Sequence, residues 1–89
     1  VASLFPPTAA SEVRAGAQLA RQGDVDGALA HFRRATELDP GSAPAWRNLG
    51  VAYAHKGDQV RSLQAYRTYL KLESDGEQAR AVRALLGEK

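Results

Sequence analysis

The chain has 89 residues, with 12 basic and 10 acidic side chains, a formal charge of +2, two histidines and no cysteine. So short a chain is one domain that hides only about 60 to 65% of its unfolded surface, and without disulfides or thiolate metal sites its stability must come from regular packing. Basic and acidic residues are interleaved, which leaves no basic stripe for a nucleic acid, and no apolar run approaches the ~20 residues of a membrane span.

Residues 1–8 read as a tail or linker, because Pro6-Pro7 forbids helix there. The alternative is that Leu4 and Phe5 pack onto the domain. The chain opens at Val1 without Met and shows no charged segment followed by an apolar one, so it reads as a piece of a longer polypeptide without a signal peptide. Lack of cysteine fits a reducing cytoplasm as well as a periplasm.

Laying residues 9–42 over 43–76 reveals a repeat at a spacing of 34. Ala9 coincides with Ala43, Gly16 with Gly50, Ala20 with Ala54, Gly23 with Gly57, Asp24 with Asp58, Leu29 with Leu63, Arg33 with Arg67 and Leu38 with Leu72. Small residues recur with small residues, and a Gly-Asp pair recurs midway through each unit. Each unit is expected to hold two helices, because apolar residues step by three and four, as in Trp46, Leu49, Gly50 and Tyr53.

The first helices should span 9–22 and 43–56. Gly23 and Gly57 end them by taking the left-handed conformation, and Asp24 and Asp58 cap the second helices, at 25–38 and 59–72, by accepting free amide protons. Asp39-Pro40-Gly41-Ser42 breaks the chain between units, with Ser42 capping the helix that begins at 43, and Glu73-Ser74-Asp75-Gly76 is expected to do the same later. A fifth, amphipathic helix should cover 77–87, with Ala79, Val82, Leu85 and Leu86 on its apolar side.

The segment WRNLGVAYAHKGD at 46–58 resembles the tetratricopeptide repeat in its Trp, Leu-Gly and Tyr at fixed offsets. The pattern falls on Trp46, Leu49, Gly50 and Tyr53 in the second unit and on Gly16, Ala28, Phe32, Ala35 and Pro40 in the first. The resemblance implies an all-α fold of antiparallel helix-turn-helix repeats stacked as a short right-handed superhelix of five helices. Residues 9–42 and 43–76 are the repeats, and 77–89 hold the capping helix and C-terminus. Gly16 and Gly50 should let the paired helices approach closely, with Ala28 and Ser62 opposite and Phe32, Trp46, Tyr53 and Tyr66 as wedges.

Three departures from the pattern carry information. Glu12 stands where the family prefers Trp, which implies a first helix with one face in water. Tyr69 replaces a small residue, and the Ala-rich closing helix, through Ala79, Ala81 and Ala84, is expected to make room for it. Ser74 replaces the proline matched by Pro40, so something other than a standard third repeat should come next.

Catalytic chemistry finds no support. His31 and His55 lie on different helices without HExxH-like spacing, so they read as exposed helical residues rather than metal ligands, with His55 a candidate for a ligand-facing surface. There is no GxSxG elbow and no phosphate-binding glycine loop, so neither an enzyme nor a cofactor is implied.

In arrays of this kind the first helix of each unit lines a concave face. By resemblance, the partner-binding candidates are Val13, Ala17, Ala20 and Arg21 in the first unit and Arg47, Asn48, Val51, Ala54 and His55 in the second. Gln78, Ala81 and Leu85 extend them. Small apolar residues form a floor, the arginines stand at the margins, and Asn48 offers carbonyl and amide to a peptide backbone. Some members hold a terminal carboxylate with Lys, Asn and Arg; Asn48 matches one such position, but Val13 and Ala17 depart at two others. An acidic or amphipathic helix or peptide suits the floor better.

The expected function is a non-enzymatic protein-binding scaffold within a larger assembly, and the Ala-, Arg- and Gly-rich composition resembles high-GC bacterial proteins. The alternative is a structural, self-associating element, since two units fall short of the three usually needed for stability. A homo-oligomer would close the groove or an open end.

Overall fold

The computed structural model describes residues 5–87. Five helices succeed one another: α1 (Ala9–Arg21), α2 (Val25–Leu38), α3 (Ala43–His55), α4 (Gln59–Leu72) and α5 (Glu77–Leu85). No strand occurs among the described residues. Helix α1 pairs with α2 and α3 with α4, the second pair stacks on the first through α2 and α3, and α5 lies against α4.

Local chemistry explains the boundaries. Thr8 and Ser11 form a reciprocal capping box at the start of α1. Gly23 and Gly57 adopt φ of +85° and +81°, and the carboxylates of Asp24 and Asp58 then accept from the amides of Gly27 at 2.8 Å and Arg61 at 3.1 Å. Two helices thus meet across a turn that needs one left-handed residue. Ser42 caps α3, and the Trp46 indole donates to the Pro40 carbonyl at 2.8 Å, tying the inter-unit loop to the helix it introduces. The last break differs from expectation: Gly76, at φ 101°, is the N-cap residue of α5, with no side-chain cap bond. Ser74 instead accepts from the Arg83 guanidinium through its carbonyl.

The glycines do allow close approach, but rings as well as small residues fill the space. A Cβ on Gly16 would lie 2.6 Å from the Phe32 ring and 3.1 Å from the Ala28 carbonyl, and one on Gly50 would lie 2.9 Å from the Tyr66 ring. The Ser62 hydroxyl donates to the Gly50 carbonyl at 2.8 Å. One core cluster gathers Ala28, Phe32, Leu49, Ala52 and Ala65. Another gathers Tyr66, Tyr69, Ala79 and Val82, and Trp46 packs against both. Each of these aromatic side chains buries of order 150 to 250 Å², which makes them the main apolar contribution in so small a domain.

Three expectations are corrected. Glu12 is 6% exposed, not in water: its carboxylate accepts from His31 Nδ1 at 2.6 Å, with the Arg34 guanidinium 3.8 Å away. His31 is therefore a packing partner rather than a solvated residue, its side chain 33% exposed. Of the three alanines expected beside Tyr69, Ala79 is buried in its cluster, while Ala81 and Ala84 are exposed. Phe5 is 80% exposed, and Leu4 lies outside the described residues.

Candidate functional site

The two-helix unit fixes which side chains can meet. One turn of helix separates Ala17 from Ala20 and Arg21 on α1, and Asn48 from Val51 and Ala52 on α3, so each set shares a face. A cavity of about 500 Å³ opens where these faces meet α2. Ala17, Ala20 and Arg21 line it from α1, Val25, Ala28 and Phe32 from α2, and Asn48, Val51, Ala52 and His55 from α3. No carboxylate lines it.

A smaller cavity of about 170 Å³ continues toward α5, lined by Arg47, Val51, Tyr66, Gln78, Ala81, Val82 and Leu85. Val51 lines both cavities, which therefore lie side by side along α3. Ala17, Val51 and Leu85 are spaced by 34 residues each, so one repeat position supplies an apolar side chain on α1, α3 and α5 in turn. Leu85, 66% exposed, marks the open end.

Most of the sequence-derived candidates are thus brought together. Val13 and Ala54 are exceptions: Val13 is half-buried against the first core cluster rather than lining either cavity. Ala54 lines a third cavity, of about 280 Å³, with Gly57, Gln59, Ser62 and Leu85. The Asn48 amide donates to the Pro44 carbonyl one turn back at 2.9 Å, which uses one of its two N–H groups and orients the side chain, leaving the other N–H and the carbonyl oxygen for a peptide. The sequence reading missed Val25, Ala28, Phe32 and Ala52 as floor residues. Their apolar character signalled core, and they serve as both.

Electrostatics along both cavities is positive. Arg21 borders the larger cavity and Arg47 the smaller. Burial pushes the Tyr66 phenol above its usual range, and the positive charge of Arg47 counters this only in part. On the far edge Asp58 is held below the usual carboxylate range by its hydrogen bonds from Arg61, the guanidinium contact being 2.6 Å. That pair caps α4 and faces a different cavity, with Leu29, Arg33, Tyr53 and Lys56.

Antiparallel helix pairs recurring every 34 residues, with glycine at each close approach, define a helical repeat protein. The chain belongs to the tetratricopeptide repeat family, which matches residues 13–79. It is 32% identical over 74 residues to the chloroplastic tetratricopeptide repeat domain-containing protein PYG7 of Arabidopsis thaliana, a match covering 83% of this chain and 25% of that protein. The chain therefore spans about a quarter of that relative's length. Proteins of this family are generally non-catalytic and mediate protein–protein interactions. No helix among the described residues is long and apolar enough to cross a membrane.

Proposed function

We propose that this chain is a non-enzymatic docking module within a larger assembly, receiving an acidic or amphipathic segment of a partner protein, helical or extended, along the path from Arg21 to Leu85. The supporting observation is the pair of adjacent cavities that share Val51, with an apolar floor of Ala17, Ala20, Phe32 and Val51, basic margins and no carboxylate. An apolar floor rewards burial at roughly 25 cal/mol per Å², and Arg21 and Arg47 select the sign of the flanking charges.

The test is nuclear magnetic resonance titration of the isotope-labelled chain with short acidic amphipathic peptides and their charge-reversed counterparts. Saturable shifts at the amides of Ala17, Asn48 and Val51, weakened by Arg47→Glu, support the reading. Shifts confined to the outer side of α2 and α4, at Arg33 and Arg67, would sink it.

Self-association is the second reading, favoured by the exposure of Val60 and Leu85. Light scattering over a wide concentration range decides it, since a mass that stays monomeric throughout removes it.

A further inference from the structure

A cavity of about 290 Å³ lies where the end of α4 meets the starts of α3 and α5, lined by Ala43, Pro44, Tyr69, Glu73, Asp75 and Glu77 among others. Its chemistry is opposite to that of the docking path. None of the three carboxylates has a cationic partner within 4.0 Å among the described residues, and no lysine or arginine lines the space.

Acidic residues beside helix N-termini are commonly there to balance the helix dipole. That explanation falls short here. The starts of α3 and α5 supply about +0.5 charge each and the end of α4 about −0.5, against three full negative charges. A second observation points the same way: Tyr69 is only 3% exposed, yet its hydroxyl has no hydrogen-bond partner among the described residues and is not sealed from solvent. A phenol hydroxyl that solvent reaches, on a side chain that lines the cavity, is free to take a ligand's hydrogen bond in place of water's.

We infer that this cavity is a receptor for one arginine side chain of a partner protein. The cation meets the carboxylates of Glu73, Asp75 and Glu77, its aliphatic stem lies on Ala43, Pro44 and the Tyr69 ring, and one N–H donates to the Tyr69 hydroxyl. A compact metal ion fits less well, because no group of three or more acidic, histidine or cysteine residues among those described is close enough to hold one. A guanidinium spreads its five donors over a wider space and matches carboxylates set apart. The site shares Gln78 with the α5 end of the docking path, so a partner reaching it would carry its basic residue there, away from Arg21 and His55. It stands whether or not the path is the docking face.

The experiment titrates the isotope-labelled chain with a capped Gly-Arg-Gly tripeptide, its citrulline counterpart, and calcium chloride. The arginine peptide should give saturable shifts at the amides of Tyr69, Glu77 and Gln78, and the neutral citrulline peptide should not. Glu73→Gln and Glu77→Gln should each weaken binding about two- to fivefold, as expected of exposed ion pairs, and added salt should weaken it further. Tyr69→Phe keeps the ring and should also weaken it, while thermal melts show that each variant folds. Equal response to arginine and citrulline, indifference to both Gln variants, or calcium saturating the same amides at lower concentration overturns the inference.

Discussion

The Phe32 ring lies so close over Gly16 that a single added methyl group would sit 2.6 Å from Cε1 and 2.8 Å from Cδ1. The ring is almost fully buried and the Ala28 carbonyl blocks the other side at 3.1 Å, so neither neighbour has room to yield. Gly16→Ala should therefore lose stability even though alanine favours helix by about 1 kcal/mol, because overpacking costs about 1 to 3 kcal/mol. At Gly50 the nearest atoms a methyl group would meet all belong to the Tyr66 ring, at 2.9 to 3.1 Å, a looser approach than at Gly16, and Gly50→Ala should cost less. Urea denaturation of the two variants gives the ranking, and equal stability would contradict it.

Gly23 and Gly57 test backbone geometry alone, because a Cβ on either meets nothing within 4 Å. Their positive φ should still make Gly57→Ala cost about 1 kcal/mol, and Gly23→Ala about the same. A melt that does not move would show that the turn relaxes without penalty.

Glu12 and His31 form a buried polar contact across the first helix pair, at the position where the second unit places Trp46. Removing the imidazole leaves the Glu12 carboxylate only the Arg34 guanidinium, 3.8 Å away, so His31→Ala should cost about 1 to 3 kcal/mol, whereas Glu12→Leu lets His31 turn to water and should be near neutral. The double variant should recover most of the loss, giving a positive coupling in a double-mutant cycle. Additive effects would mean that the contact contributes nothing to stability.

That contact also marks the limit of what the sequence discloses. Helix positions, the Gly-Asp turns and the nesting at Gly16 and Gly50 are local or periodic features, and the 34-residue recurrence makes them legible. The bond from Glu12 to His31 crosses 19 residues between helices, and a carboxylate on a helix reads as solvated until a partner is seen. For the candidate site, repeat position identified which side chains share the cavity but not the Asn48 amide bond to Pro44, which depends on a rotamer. Val13 shares its repeat position with Arg47 and Ala81, which line the smaller cavity, but is itself half-buried against the first core cluster, a local difference that the repeat does not disclose.

Stability should respond to pH at both extremes. Asp58 has a folded pKa below its unfolded value, so its contribution is present above about pH 4 and is lost as pH falls through the folded value. Tyr66 has a folded pKa above its unfolded value, so below about pH 10 nothing is lost, and as pH rises from there through the folded value the unfolded state gains by ionising first. Asp58→Asn should flatten the acid limb and Tyr66→Phe the alkaline limb of stability against pH. Unchanged limbs would remove these groups as the cause.

Val51 lines both cavities of the proposed docking path, and its substitution separates binding from folding. In Val51→Glu the new carboxylate lies one turn after Arg47, an opposite-charge neighbour that offsets part of the lost packing, so the melting temperature should fall only slightly. An acidic partner segment, however, would meet a negative charge on the apolar floor, lose the contact and be repelled. Affinity for acidic amphipathic peptides should drop at least about tenfold, equivalent to about 1.4 kcal/mol, while the capped arginine tripeptide binds the Tyr69 cavity as before. Peptide binding that survives this change would place the docking surface elsewhere on the helix pairs.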